Sequence, residues 1–170
     1  MLIGLTGKKR SGKDTIADYL VYNYDFKKLS FATPIKQMLK IIINDNKFTE
    51  DNKEEVIPNL GVNYRYLMQT LGTNWGRDLI NDNLWINFLI NEIPKHKLVV
   101  VSDIRFDNEA KAIIKLCGKI IKVERNIDIL DDHISENDVD DKYISKIIYN
   151  DKSLKDLYIN VESVLNVFTD

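Results

Sequence analysis

With 170 residues, 44% hydrophobic and 29% charged, the chain has the material for one domain with a substantial core. A net charge of −2 excludes a general electrostatic attraction to nucleic acid or an anionic membrane, so its basic residues must act locally. One cysteine, Cys117, and two histidines exclude an internal disulfide and a zinc-type cluster, and fit a reduced, cytoplasmic setting.

Met1 to Thr6 is a short apolar run that reads as a buried first strand. Gly7-Lys8-Lys9-Arg10-Ser11-Gly12-Lys13-Asp14-Thr15 follows, and Lys13 to about Tyr24 reads as a helix with Ile16, Leu20 and Val21 at helical spacing. Strand, glycine-bounded loop and helix in that order make a phosphate-binding loop: loop N–H groups and the positive end of the helix face a polyphosphate. Gly7 and Gly12 allow close backbone approach, and Lys13 is placed to reach the β and γ phosphates. The usual hydroxyl residue after the lysine is replaced by Asp14, with Thr15 next; a carboxylate is an equally suitable hard ligand for Mg²⁺. The competing reading is a strand–turn–helix with incidental glycines and a solvated basic loop.

Lys28 to Ala32 suggests a second strand, and Thr33-Pro34 a helix start with its cap before a proline. Ile35, Met38, Leu39 and Ile42 fall on one face of that helix. Asn44 to Asn59 is polar and acidic, read as a loop or short helix. Tyr64 to Leu71 is a helix interrupted by Gly72, and Leu84 to Ile93 another, closed by Pro94. Leu98 to Val101 is a continuous apolar run, the pattern of a strand covered on both faces, and it ends in Ser102-Asp103. Asn108 to Leu116 is a helix stopped by Gly118; Lys119 to Val123 is a strand ending in Glu124-Arg125. Asn126 to Asp141 is acidic and without apolar period. Tyr143 to Tyr149 reads as a last strand and Ser153 to about Phe168 as a terminal helix. Strands alternating with helices predict a three-layer α/β domain with a mainly parallel sheet, whose ligands sit beyond the strands' carboxyl ends. Lys13, Asp103 and Arg125 share that edge.

Each candidate has a structural alternative. Asp103 is a strand-end carboxylate of the kind that holds Mg²⁺ or its water, or a cap for the next turn. Arg105 is a phosphate clamp, or an ion-pair partner of Glu109. Trp75 offers a face for a nucleobase, although core packing is the commoner fate of tryptophan and is the reading for Trp85. Gln69 and Thr73 can read base edges or simply be solvated. His133, with Ser135 and Glu136, alone reads as an exposed loop histidine.

Four segments in order carry a family resemblance: Gly4 to Thr15; Leu67-Met68-Gln69-Thr70-Leu71-Gly72-Thr73-Asn74-Trp75-Gly76-Arg77; Val101 to Phe106 with Asn108-Glu109-Ala110; and Val123-Glu124-Arg125 with His133-Ile134-Ser135-Glu136. The chain resembles the bacteriophage-type deoxynucleoside monophosphate kinases. The resemblance implies a P-loop NTPase fold on a single domain spanning 1–170, with a monophosphate-binding region at about 33–94 and a closing lid at about 126–141. It implies ATP as phosphoryl donor, Mg²⁺, and a deoxynucleoside monophosphate as acceptor, with no nucleic-acid or membrane partner. Gly7, Arg10, Ser11, Gly12, Lys13, Asp14 and Thr15 would hold ATP, with Asp14 and Thr15 serving the metal. Lys8, Lys36, Arg65, Gln69, Thr73, Trp75 and Arg77 would face the acceptor, and Lys13, Asp103, Arg105 and Arg125 would serve the transfer itself. A homodimer and the cytoplasm of an infected cell are further expectations; no signal-peptide pattern opens the chain and no apolar run approaches a membrane span.

Three alternatives stay open on the residues. Dephospho-coenzyme A kinase shares a Gly-Leu-Thr-Gly start and phosphomevalonate kinase a Gly-Lys-Asp loop, but neither accounts for Gln69 to Arg77. A guanine-nucleotide switch would need Asn-Lys-x-Asp, and Asn52-Lys53-Glu54-Glu55 is the nearest approach. A non-catalytic nucleotide-binding module is the third.

Overall fold

The structure, a computed structural model, describes residues 1–44, 52–126 and 139–169. In chain order the elements are β1 (Leu2–Thr6), α1 (Lys13–Tyr24), β2 (Lys27–Leu29), α2 (Thr33–Ile43), β3 (Val56–Ile57), β4 (Val62–Asn63), α3 (Tyr64–Gln69), a π-helical stretch (Thr70–Ile80), α4 (Leu84–Ile90), β5 (Val99–Val101), α5 (Asp107–Lys115), β6 (Lys119–Glu124), β7 (Lys146–Tyr149) and α6 (Leu154–Thr169). They divide into two compact units, Met1–Ser30 with Leu89–Asp170, and Phe31–Phe88.

The first unit is built on a five-stranded sheet in the order β2-β5-β1-β6-β7, with every neighbouring pair parallel. β1 is central and wholly buried, which is why its sequence is apolar up to the closing Thr6. Its side chains alternate between faces. Ile3 and Leu5 pack with Ile16 and Leu20 of α1 and with Leu157, Val161 and Leu165 of α6. On the opposite face, Ile104, in the turn after β5, and Ile113 of α5 lie over Gly4, where an added Cβ would sit 2.2 Å from Ile104 Cδ1. The expected three-layer α/β fold is present. A parallel sheet sends the carboxyl ends of its strands to one edge, so the residues after β1, β5, β6 and β7 collect there. Among the described residues, no helix is long and apolar enough to cross a membrane.

Helix ends show where local chemistry and packing divide the work. α5 closes in a Schellman motif: Cys117, at φ 59°, donates to the Ile114 carbonyl and Gly118 to that of Ile113. Gly118 was expected to end the helix itself. The left-handed position falls instead to Cys117, and Gly118 is needed because a Cβ there would approach the Ile113 carbonyl oxygen to 2.9 Å. α6 begins with a capping box in which the Asp156 N–H donates to Ser153 Oγ and the Asp156 carboxylate accepts from the Ser153 N–H.

The second unit departs further from its pattern. Helix α2 starts at Thr33 with Ala32 at the cap and no side-chain cap bond, one residue earlier than the proline signal suggests. Ile35 and Leu39 are buried, but Ile42 is 63% exposed, so the expected apolar face is narrower. The acidic stretch read as a loop or short helix contains β3, which pairs antiparallel with β4. Gly72 does not interrupt the helix after Tyr64: α3 runs on into the π-helical stretch Thr70–Ile80. Two groups compete there with regular helical hydrogen bonds. Thr70 Oγ1 donates back to the Tyr66 and Leu67 carbonyls at 2.8 and 3.2 Å, and the buried Trp85 indole donates to the Gly72 carbonyl at 2.7 Å. The Trp85 ring also fills the space beside Gly76, where a Cβ would lie 2.3 Å from Cζ2. Gly76→Ala should therefore destabilise this unit by about 1–3 kcal/mol, the usual cost of overpacking; urea unfolding followed by tryptophan fluorescence measures it.

Candidate active site

The loop between β1 and α1 is shaped by two glycines. Gly7 has φ 127°, and a Cβ there would lie 2.3 Å from the Val123 carbonyl oxygen of β6. Gly12, at φ 109°, caps α1, and a Cβ there would lie 2.4 Å from Asn150 Nδ2. Arg10 also takes a left-handed conformation, φ 63°. These dihedrals turn the chain sharply enough to open α1 toward the sheet edge. Lys13 folds back over the loop and donates from Nζ to the Gly7 carbonyl at 2.5 Å and the Lys8 carbonyl at 2.7 Å. Ser11 is fully buried, and among the described residues its hydroxyl has no hydrogen-bond partner. Such an orphan costs about 1–3 kcal/mol, and loops that a bound group completes are where it is tolerated.

Arg10, Gly12, Lys13, Asp14, Thr15 and Arg125 line one cleft of about 330 Å³. Asn150, Lys152, Leu154 and Leu157 complete its wall, and no motif pointed to them. Only their position announces them: they follow β7 at the same sheet edge. Asp14 stands at the start of α1 with its side chain 78% exposed, paired with Lys28 Nζ at 2.9 Å. Lys28 holds Asp18 as well, also at 2.9 Å. Partial burial lowers the Lys28 pKa, but hydrogen bonds to Asp14 and Asp18 outweigh burial and hold the ammonium above its usual value.

Asp103 follows β5 at the same edge but does not line the cleft; its carboxylate accepts from Ser30 Oγ at 2.7 Å. Glu109 is buried, and its carboxylate accepts from the backbone N–H groups of Arg105 and Phe106 at 2.9 and 3.1 Å. These main-chain bonds join positions 105 and 109 and fix the turn into α5. Lys8 is exposed on the loop.

The remaining candidates belong to the second unit. Lys36 is half-buried on α2, and Gln69 ends α3. Arg65 Nε pairs with Glu54 at 2.6 Å. Thr73, Trp75 and Arg77 lie on the π-helical stretch, a geometry often found at functional sites. Trp75 is 39% exposed, its ring 6.3 Å from the buried Trp85 ring. Arg77 is 7% exposed on its side chain and donates to Asp82 at 2.6 Å. The acidic segment expected to form a lid, with His133, Ser135 and Glu136, lies mostly outside the described residues.

The family model for deoxynucleotide monophosphate kinase matches residues 1–64 and 49–161. A protein of Acanthamoeba polyphaga mimivirus, named as a candidate deoxynucleotide monophosphate kinase, is 32% identical over an alignment covering 98% of this chain and 96% of its own. The deoxynucleotide monophosphate kinase of Enterobacteria phage T4 is 26% identical, with coverage of 98% and 99%. Among solved structures, shikimate kinase from Aquifex aeolicus superposes with a TM-score of 0.56 at 13% identity, covering 99% of this chain and 96% of that one. At that identity the likeness speaks for the fold alone.

The Lys28 bridge has a pH signature. A lysine whose folded-state pKa is raised contributes stability that is complete below its unfolded value, about 10.4, and is lost as pH rises through the folded value. The tie between α1 and β2 should therefore weaken only above about pH 10.5. In alkaline unfolding, Lys28→Met should lack that part of the parent's pH dependence.

Proposed function

The chain belongs to the deoxynucleotide monophosphate kinase family, and from that premise we propose that Mg-ATP is its donor and that the cleft at the first helix holds it. The enzyme transfers a phosphoryl group to a deoxynucleoside monophosphate. One observation carries the donor assignment: Lys13, Asp14, Thr15, Arg10 and Arg125 meet in a single cleft at the carboxyl edge of a parallel sheet. Phosphoryl transfer asks little covalent chemistry of a protein; it asks for cations around the moving group and two substrates held in line.

The residues present suit this task. The Lys13 ammonium now satisfies two loop carbonyls and would exchange them for phosphate oxygens. The orphaned Ser11 hydroxyl belongs to the same loop. Mg²⁺ usually keeps several waters and takes one or two carboxylates beside substrate phosphates. Asp14, exposed at the helix start, and Thr15 form such a donor set and would hold it. When bound, the metal supplies charge neutralisation between phosphate oxygens. Arg125 and Arg105 are assigned to the charge of the transferred group, and Asp103 to a supporting place beyond the strand.

The acceptor is assigned to the second unit. The half-exposed Trp75 ring is a stacking face for a base, and Gln69 and Thr73 can donate and accept at base edges. Lys36, Arg65 and Arg77 are assigned to its phosphate. The cytoplasm of an infected cell is the setting this reading gives the enzyme.

A coupled ADP-release assay with Mg-ATP should give turnover above about 1 s⁻¹ with dTMP, dGMP, dCMP or dAMP. It should give none with dephospho-coenzyme A or phosphomevalonate, and the reverse pattern would overturn the acceptor assignment. Lys13→Ala should lower turnover by about 10²–10³-fold, the scale for losing one transition-state donor, with its circular dichroism unchanged. Asp14→Ala should shift the Mg²⁺ titration to higher concentration; superimposable curves for variant and parent would remove Asp14 from the metal.

A further inference from the structure

We propose that Asn150 and Asp151 are the positioning residues of the donor cleft, holding its phosphate loop and its Arg125 side in one register. The proposal rests on the donor reading of that cleft. Both residues sit in the short turn between β7 and α6, outside every motif in the sequence.

Asn150 makes two bonds in opposite directions. Its main-chain N–H donates to the Glu124 carbonyl at 2.7 Å, and its side-chain amide donates to the Ser11 carbonyl at 2.8 Å. The amide nitrogen also occupies the space a Cβ on residue 12 would need, at 2.4 Å. Gly12 and Asn150 therefore fit each other, and the left-handed cap of α1 is held from outside the loop. A carboxylate at 150 would set two acceptors face to face, so the short amide donor is what this place requires.

Asp151 takes the other side of the cleft. Its carboxylate accepts from the Asn126 N–H at 2.8 Å. Arg125 is thereby bracketed: the carbonyl of the residue before it and the N–H of the residue after it are tied to two consecutive residues of one turn. The Arg125 side chain is exposed, and these two bonds fix the main chain on either side of its root. Neither Asn150 nor Asp151 is required to touch a reacting atom. Their effect is pre-organisation, which matters because small misplacements of phosphate ligands are costly in rate and affinity.

The test is direct ATP binding by calorimetry on the full chain, for parent, Asn150→Ala, Asp151→Ala and Asp151→Asn, with KM values for ATP and for the deoxynucleotide. Asn150→Ala and Asp151→Ala should each weaken ATP binding about tenfold, the scale of one lost hydrogen bond. KM for ATP should rise in parallel while KM for the deoxynucleotide stays within about twofold. Asp151→Asn keeps the acceptor oxygen and should bind ATP within about twofold of the parent. If Asn150→Ala fails to fold, the Asp151 pair decides alone. A parent that binds ATP beside folded variants that bind it equally well overturns this proposal only. Equal rises in both KM values also overturn it, in favour of a structural role. A parent that does not bind ATP overturns the donor reading, and this proposal with it.

Discussion

Where β1 ends, the chain must pass close enough to β6 that a hydrogen fits and a methyl group does not. That constraint at Gly7 sets the rest of the site. A Cβ there would press on the Val123 carbonyl of the neighbouring strand. Two residues later that strand delivers Arg125. A shift to relieve the clash would move the loop, the strand end and the arginine together, or break the pairing of Thr6 with Lys122. The glycine lets a loop rich in cations lie tight against the sheet, with helix α1 opening directly behind it.

The core of the first unit is aliphatic: Ile3 and Leu5 of β1, Ile121 and Val123 of β6, Ile16 and Leu20 of α1 and Leu157 and Val161 of α6 are buried, and each such side chain is worth about 1.5–3 kcal/mol. Its loops can then carry strained dihedrals and an unpartnered hydroxyl, because the frame beneath them is stiff. Both units also place polar groups inside: Glu109 and Lys122 are buried in the first. In the second, Arg77 is buried with Asp82 as partner, and Trp85 gives its indole N–H to a helix carbonyl. Removing one partner of such a pair leaves the other stranded in a poor solvent. The widened helix from Thr70 to Ile80 is held by these specific bonds rather than by helical propensity.

Most of the first unit was legible in the sequence for one reason: a strand covered on both faces reads as an unbroken apolar run, as residues 2–5 and Val99–Val101 do. The phosphate loop was legible because its glycines stand between such a strand and an amphipathic helix. What stayed hidden depends on distant partners. The π-helical stretch requires Trp85, whose indole reaches a carbonyl 13 residues earlier, and no window of local periodicity contains that bond. Gly118 looks like a helix stop, yet packing against Ile113 claims it and leaves the left-handed position to Cys117. Asp14 stood out in the loop motif, but its bond to Lys28 did not; a parallel fold brings the two together. Asn150 belongs to no pattern, because its partner is a backbone carbonyl at the other end of the chain.

That last separation bears on how the molecule comes into being. Ser11 and Asn150 are 139 positions apart. A ribosome adding about 5–20 residues per second has made the loop roughly 7–28 s before it makes the amide that braces it. During that interval the nascent chain carries its phosphate-binding sequence without the wall formed by β7 and α6. The site is thus completed only after the intervening positions have been made, although its signature precedes them all. A chain interrupted before its last strand would carry the signature in full and lack the brace.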